Sequence, residues 1–137
     1  MPHTVLVVED DEILRMLIAD ALAVLDAQVI ECACADEALR VLERSEPINL
    51  VLTDIRMPGP MDGVQLANMI YQRWPQLPVI LTSGNLNMVE GLLPAQATFI
   101  AKPWSLDVLH ETVRDFLHKG SAGGPSHLKA RSSQKGS

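Results

Sequence analysis

Cysteine is scarce here, with Cys32 and Cys34 the only two among 137 residues. Two apart in a strand, they would point the same way, and a disulfide between them would be strained. The thiols are therefore expected to be reduced, which fits a cytoplasmic setting. No second pair completes a Cys-x-Cys metal site. The four histidines, His3, His110, His118 and His127, have no ligand spacing and read as surface residues. Long apolar runs are also missing. No stretch reaches the roughly 18–20 apolar residues of a membrane span, and Met1-Pro2-His3-Thr4 is not a basic lead into an apolar segment, so no secretory signal is expected.

Positive charge is short in the body of the chain. Residues 1–118 carry all 17 acidic residues against seven Lys and Arg, a net −10, which argues against nucleic acid as the main partner. The other four of the 11 basic residues lie in 119–137, a Gly/Ser-rich stretch with no acid. That tail has too few apolar groups to fold alone and reads as a solvated extension. Residues 1–118, within a chain that is 47% hydrophobic, suit one domain with its own core.

Within the body, short β-branched runs alternate with helical periodicity. Thr4–Val8 reads as a strand buried on both faces. Ile13, Leu14, Leu17, Ile18, Ala21, Leu22 and Leu25 recur at helical spacing and predict one apolar face. Gln28–Cys32 reads as a second strand, a helix follows from Asp36, and Ile48–Thr53 is a third strand. Residues 57–63 are loop by composition. A helix carrying Val64, Leu66, Ala67, Met69 and Ile70 runs to about Trp74. Val79–Thr82 and Thr98–Ala101 are the fourth and fifth strands. Ser105 caps a last helix with Asp107 in its first turn and Leu106, Leu109, Val113, Phe116 and Leu117 turned inward.

Five strands alternating with helices predict an α/β domain: a flavodoxin-like, doubly wound parallel sheet in the order 2-1-3-4-5. In such sheets ligands sit at the carboxyl ends of the strands, where strand order reverses. Strand 1 ends in Glu9-Asp10-Asp11, strand 3 in Asp54, strand 4 in Ser83 and strand 5 in Lys102-Pro103. Each has an ordinary reading alone: a helix cap, a loop cap, a turn hydroxyl, an exposed charge. Together they place carboxylates, a hydroxyl and a lysine on one rim. Two carboxylates about 5 Å apart repel by roughly 3 kcal/mol at an effective dielectric near 20, so the cluster calls for a cation or a proton. Hard oxygen ligands favour Mg²⁺, which also bridges to phosphate oxygens. One carboxylate would then be free to act as nucleophile, as aspartyl-phosphate chemistry requires.

Four segments carry a resemblance: Val5-Leu6-Val7-Val8-Glu9-Asp10-Asp11, Leu52-Thr53-Asp54-Ile55-Arg56-Met57-Pro58, Pro78-Val79-Ile80-Leu81-Thr82-Ser83-Gly84, and Lys102-Pro103-Trp104. In order and spacing, from about Thr4 to His118, they resemble the receiver domains of two-component response regulators, of the stand-alone CheY-like type. The resemblance implies five helices, Asp54 as phosphoacceptor, and a sensor histidine kinase or phosphotransfer protein as donor. It implies Mg²⁺ held by Asp10 and Asp54, by Glu9 through water, and by the Arg56 backbone carbonyl. Asp11 would turn into the helix start. Lys102 would neutralise the phosphoryl group, Ser83 would supply the switch hydroxyl, and Phe99 takes the place of the aromatic residue that reports activation. Such a protein is not an enzyme in the ordinary sense, since it catalyses only its own phosphoryl transfer and slow autodephosphorylation.

Two departures stand out. The loop over 57–63 is one residue longer than the pattern. The Ser83-to-Lys102 interval is about three residues short and contains Gly91 and Pro94, which makes helix 4 short, displaced or irregular. Arg56 and Asn85 occupy positions that tune phosphoryl lifetime in the family. Three functions fit: a switch that changes its protein contacts on phosphorylation, a phosphorelay intermediate or phosphate sink with no output of its own, and a phosphatase-like enzyme. The last needs a general acid near Asp54 that the sequence does not supply.

Overall fold

The computed structural model describes residues 3–44, 47–57, 59–84 and 97–118. Its elements run β1 (His3–Val8), α1 (Glu12–Ala23), β2 (Ala27–Cys32), α2 (Ala35–Glu43), β3 (Leu50–Asp54), α3 (Gly63–Arg73), β4 (Val79–Ser83), β5 (Ala97–Ala101) and α4 (Leu106–His118). The expected helix between the fourth and fifth strands, Asn85, and the tail over 119–137 lie outside the described residues.

All five strands are parallel, in the order β2-β1-β3-β4-β5. Side chains alternate across the sheet, and both sides are covered. Leu6, Val8, Val51, Val79, Leu81 and Phe99 pack with Ala38 and Leu42 of α2 and Leu66 and Ile70 of α3. Val5, Val7, Leu50, Leu52, Ile80 and Ile100 pack with Ile18 and Leu22 of α1 and Leu109 and Val113 of α4. Each fully buried leucine among these contributes roughly 1.5–3 kcal/mol. This two-sided burial explains why the strands read as continuous apolar runs.

Helix starts follow the capping chemistry. The Asp11 carboxylate accepts from the Ile13 and Leu14 N–H groups at 3.0 and 3.1 Å, as expected of an acid turned into the helix start. Asp62 and Gln65 form a reciprocal capping box on α3. Ser105 Oγ accepts from the Val108 N–H at 3.1 Å. Cys34 stands at the N-cap of α2 without a side-chain bond. Cys32 and Cys34 are free thiols, and burial, then the nearby Glu37 carboxylate, pushes the Cys32 thiol up to about 11.

Two expected faces need correction. Ile13 and Leu17 belong to the apolar periodicity of α1 but are 71% and 56% exposed, and Leu106 is 55% exposed rather than turned inward. With Met16 and, at the C-cap, Val24, also exposed, α1 and its end carry a second apolar stripe that the sheet does not cover. His110 is also not a plain surface residue, because its Nε2 lies 2.8 Å from the Ala21 carbonyl and joins α4 to α1.

Candidate functional site

The register of the sheet assembles the site. Val8 pairs with Thr53 across β1 and β3, so the next residues, Glu9 just past β1 and Asp54 at the end of β3, stand side by side where strand order reverses. Asp54 pairs with Thr82 of β4, and Ser83 with Ala101 of β5. The Lys102 N–H donates to the Ser83 carbonyl at 2.9 Å, which sets the lysine stem at the same rim.

Three carboxylates converge there. Glu9, Asp10 and Asp54 each offer an oxygen, and these atoms all lie within 4.8 Å of one another. Glu9 and Asp54 are buried, at 3% and 8% exposure, while Asp10 is open to solvent. Lys102 Nζ stands 3.2 Å from Asp54 Oδ2 and 3.8 Å from Glu9 Oε1. The other Asp54 oxygen, Oδ1, accepts from the Ile55 N–H at 2.8 Å, which fixes the plane of the carboxylate. Ser83 ends β4 at 6% exposure, Phe99 is turned into the core at 5%, and Arg56 is exposed two residues beyond Asp54.

One lysine does not balance three acids. Burial, followed by the Asp54 and Asp10 charges, lifts the Glu9 carboxyl above the usual glutamate range, against the opposing pull of the Asp11 N–H and Lys102. A donor set made only of hard oxygens and short of positive charge fits Mg²⁺. Glu9, Asp10 and Asp54 would hold such an ion, and it would supply positive charge to phosphoryl oxygens.

A raised carboxyl pKa makes Glu9 most favourable to stability below its unfolded value of 4.5, and that contribution is lost as pH rises through the elevated folded value. Glu9→Gln is neutral at all pH. It is expected to raise Tm in EDTA at neutral pH and to give no such gain below pH 4.5. Thermal melts at both pH values check this, and an equal shift at both contradicts it.

Some neighbours were not legible beforehand. Arg15 Nη1 donates to the Glu9 carbonyl at 2.8 Å, and its Nε to Glu31 Oε1 of β2 at 3.3 Å. Gly63, the first residue of α3, lies directly on the Asp54–Ile55 backbone. Only helical phase hinted at the first, and a loop-to-helix glycine at the second. Beside the rim, an apolar groove of about 880 Å³ runs between α1 and α4 from Lys102 and Pro103, lined by Leu14, Leu17, Val24, Trp104 and Leu106. No described helix is long and apolar enough to cross a membrane.

Comparison with known proteins bears on the family and the fold. The family model described as response regulator receiver domain matches residues 5–114. The chain is 36% identical over 141 residues to the response regulator protein FleR of Pseudomonas aeruginosa, covering 98% of this chain but only 29% of that one. It is 30% identical to a chemotaxis protein CheY homolog of Campylobacter jejuni, over 87% of this chain and 95% of that one. The crystal structure of the receiver domain of NtrX from Brucella abortus superposes with a TM-score of 0.74 at 31% identity, over 83% of this chain and 98% of that one.

Proposed function

The chain belongs to the response regulator receiver domain family, and we propose that it works as a phosphoacceptor on Asp54, with Mg²⁺ at Glu9, Asp10, Asp54 and the Arg56 carbonyl, and acts through protein contacts. The observation that carries this reading is the meeting of the Lys102 ammonium, 3.2 Å from Asp54, with three carboxylates whose oxygens lie within 4.8 Å. An isolated capping aspartate would need neither.

The donor is a phosphohistidine on a sensor histidine kinase or phosphotransfer protein. An Asp54 carboxylate oxygen attacks phosphorus, the phosphorus–nitrogen bond breaks, and the imidazole leaves with the bonding pair and takes up a proton. Lys102 lies where it neutralises charge on the phosphoryl oxygens. The Ile55 N–H holds the carboxylate plane during the attack. Mg²⁺, when bound, offsets charge on the acceptor and the phosphoryl group alike. The apolar stripe of Ile13, Met16, Leu17 and Val24, continuous with the groove at Lys102, gives a protein donor a surface to seat on beside the acceptor.

Ser83 and Phe99 carry the response. The Ser83 hydroxyl donates to the new phosphoryl group, and the shift of β4 is passed to Phe99, one strand over, biasing a two-state equilibrium. Phosphoryl half-life, with partner capture in the presence and absence of beryllofluoride, tests this. A switch is expected to retain phosphate long enough to change its binding partners. A half-life of seconds with identical capture in both states contradicts switching and leaves a relay or sink.

A further inference from the structure

We propose that Arg15 is a positioning residue for the metal site, acting through the main chain that joins Glu9 to Asp10. The inference rests on the reading of Glu9, Asp10 and Asp54 as Mg²⁺ ligands. Glu9 is where β1 leaves the sheet. Its N–H is still held by β2, donating to the Cys32 carbonyl at 3.0 Å. Its carbonyl would next meet β2 two residues further on, but the chain there has already turned into α2, whose N-cap is Cys34. Arg15 replaces the missing strand: Nη1 donates to that carbonyl at 2.8 Å.

The guanidinium is itself braced. Its Nε donates to Glu31 Oε1 at 3.3 Å, and Glu31 lies within the β1–β2 ladder opposite Val7. The Arg15 side chain is only 18% exposed. Its backbone is fixed too, since its N–H donates to the Asp11 carbonyl in the first turn of α1. One planar cation therefore ties together the end of β1, the start of α1 and the last residues of β2, a task for which the two-pronged arginine is suited and lysine is not.

The peptide it holds is the one between the two acidic residues. Rotating that plane would swing Asp10 away from Glu9 and Asp54, and mutual repulsion of three carboxylates pushes in that direction. Arg15 resists the swing from behind, without entering the carboxylate cluster. Groups that orient ligands in this way typically matter about 10–100-fold in metal affinity when removed.

The test is calorimetric titration of the full, unphosphorylated chain with MgCl₂, alongside thermal melts in EDTA. Arg15→Gln is expected to weaken Mg²⁺ binding about 10-fold, with Arg15→Lys intermediate. Glu31→Gln, which removes the brace but not the contact to Glu9, is expected to weaken it less and serves if Arg15→Gln does not fold. In labelling by acetyl phosphate, the half-saturating Mg²⁺ concentration should rise while the rate at saturating Mg²⁺ stays within about twofold, because the chemistry of Asp54 is untouched. Unchanged Mg²⁺ affinity with a lowered Tm would overturn the proposal and leave Arg15 as a structural tie alone. Absence of saturable Mg²⁺ binding in the unaltered protein would overturn it differently, by removing the metal-site reading on which it rests.

Discussion

Lys102→Ala is expected to slow phosphoryl uptake from acetyl phosphate by about 10²–10³-fold at saturating Mg²⁺, the usual loss when one preorganised donor to a developing negative charge is removed. Lys102 is the only described cation in contact with Asp54, at 3.2 Å, and it reaches Glu9 at 3.8 Å. Its side chain is 27% exposed, so its charge acts on a carboxylate that is largely out of water. Its position is set by the backbone, through the bond from its N–H to the Ser83 carbonyl. Lys102→Arg keeps the charge but replaces a compact ammonium by a wide fork, and an intermediate rate is expected. Initial rates from rapid quenching check both variants. A Lys102→Ala rate within about twofold of the unaltered protein contradicts a role in charge neutralisation.

The second large effect is structural. Gly63→Ala places a methyl group where a Cβ would land on the Asp54 carbonyl oxygen and come within 2.7 Å of Ile55 Cα. Both neighbours are main chain, so no rotamer change relieves the clash. Gly63 must sit there because its own N–H donates to the Ile55 carbonyl at 2.8 Å, joining the start of α3 to the strand that carries Asp54. Overpacking of this kind costs about 3 kcal/mol, near the upper end of what small-to-large changes usually cost. Displacing Ile55 also disturbs the N–H that fixes Asp54 Oδ1, so phosphoryl uptake should fall together with stability. Urea denaturation reads the first effect and labelling the second. Gly84→Ala is the stability control, since a Cβ there meets nothing within 4 Å. Equal urea midpoints for Gly63→Ala and the unaltered protein contradict the close approach.

Much of the architecture could be read from the sequence because the physics is local. Strands such as Val5–Val8 are apolar on both faces, so their type and their central place in the sheet follow from composition. The capping roles of Asp11 and Ser105 follow from residue type next to an apolar-periodic run. Asp10, Asp54, Ser83 and Lys102 could be gathered onto one rim because parallel topology brings strand ends together, and the structure gathers them there.

What escaped was set by helix phase and long-range approach. Periodicity marks apolar positions but not which edge of a wide stripe the sheet will cover, so Ile13, Leu17 and Leu106 looked buried and are exposed. Arg15 drew no reading from the sequence, because its partners, a strand-end carbonyl and a carboxylate on β2, are brought to it only by the fold. Gly63 read as part of the loop over 57–63, although its need for no side chain comes from backbone that precedes it by eight and nine positions. The interval between Ser83 and Lys102, expected from the sequence to be short, lies largely outside the described residues, which stop at Gly84 and resume at Ala97.

The central claim is that Asp54 accepts a phosphoryl group in a site that needs Mg²⁺. The most direct measurement is labelling of the full chain by acetyl phosphate, trapping of the acyl phosphate with borohydride, and mass mapping of the modified residue. The account predicts one modified residue, Asp54, with Mg²⁺ present, none in EDTA, and none in Asp54→Ala. Labelling that persists in Asp54→Ala, or that is indifferent to EDTA, would contradict it.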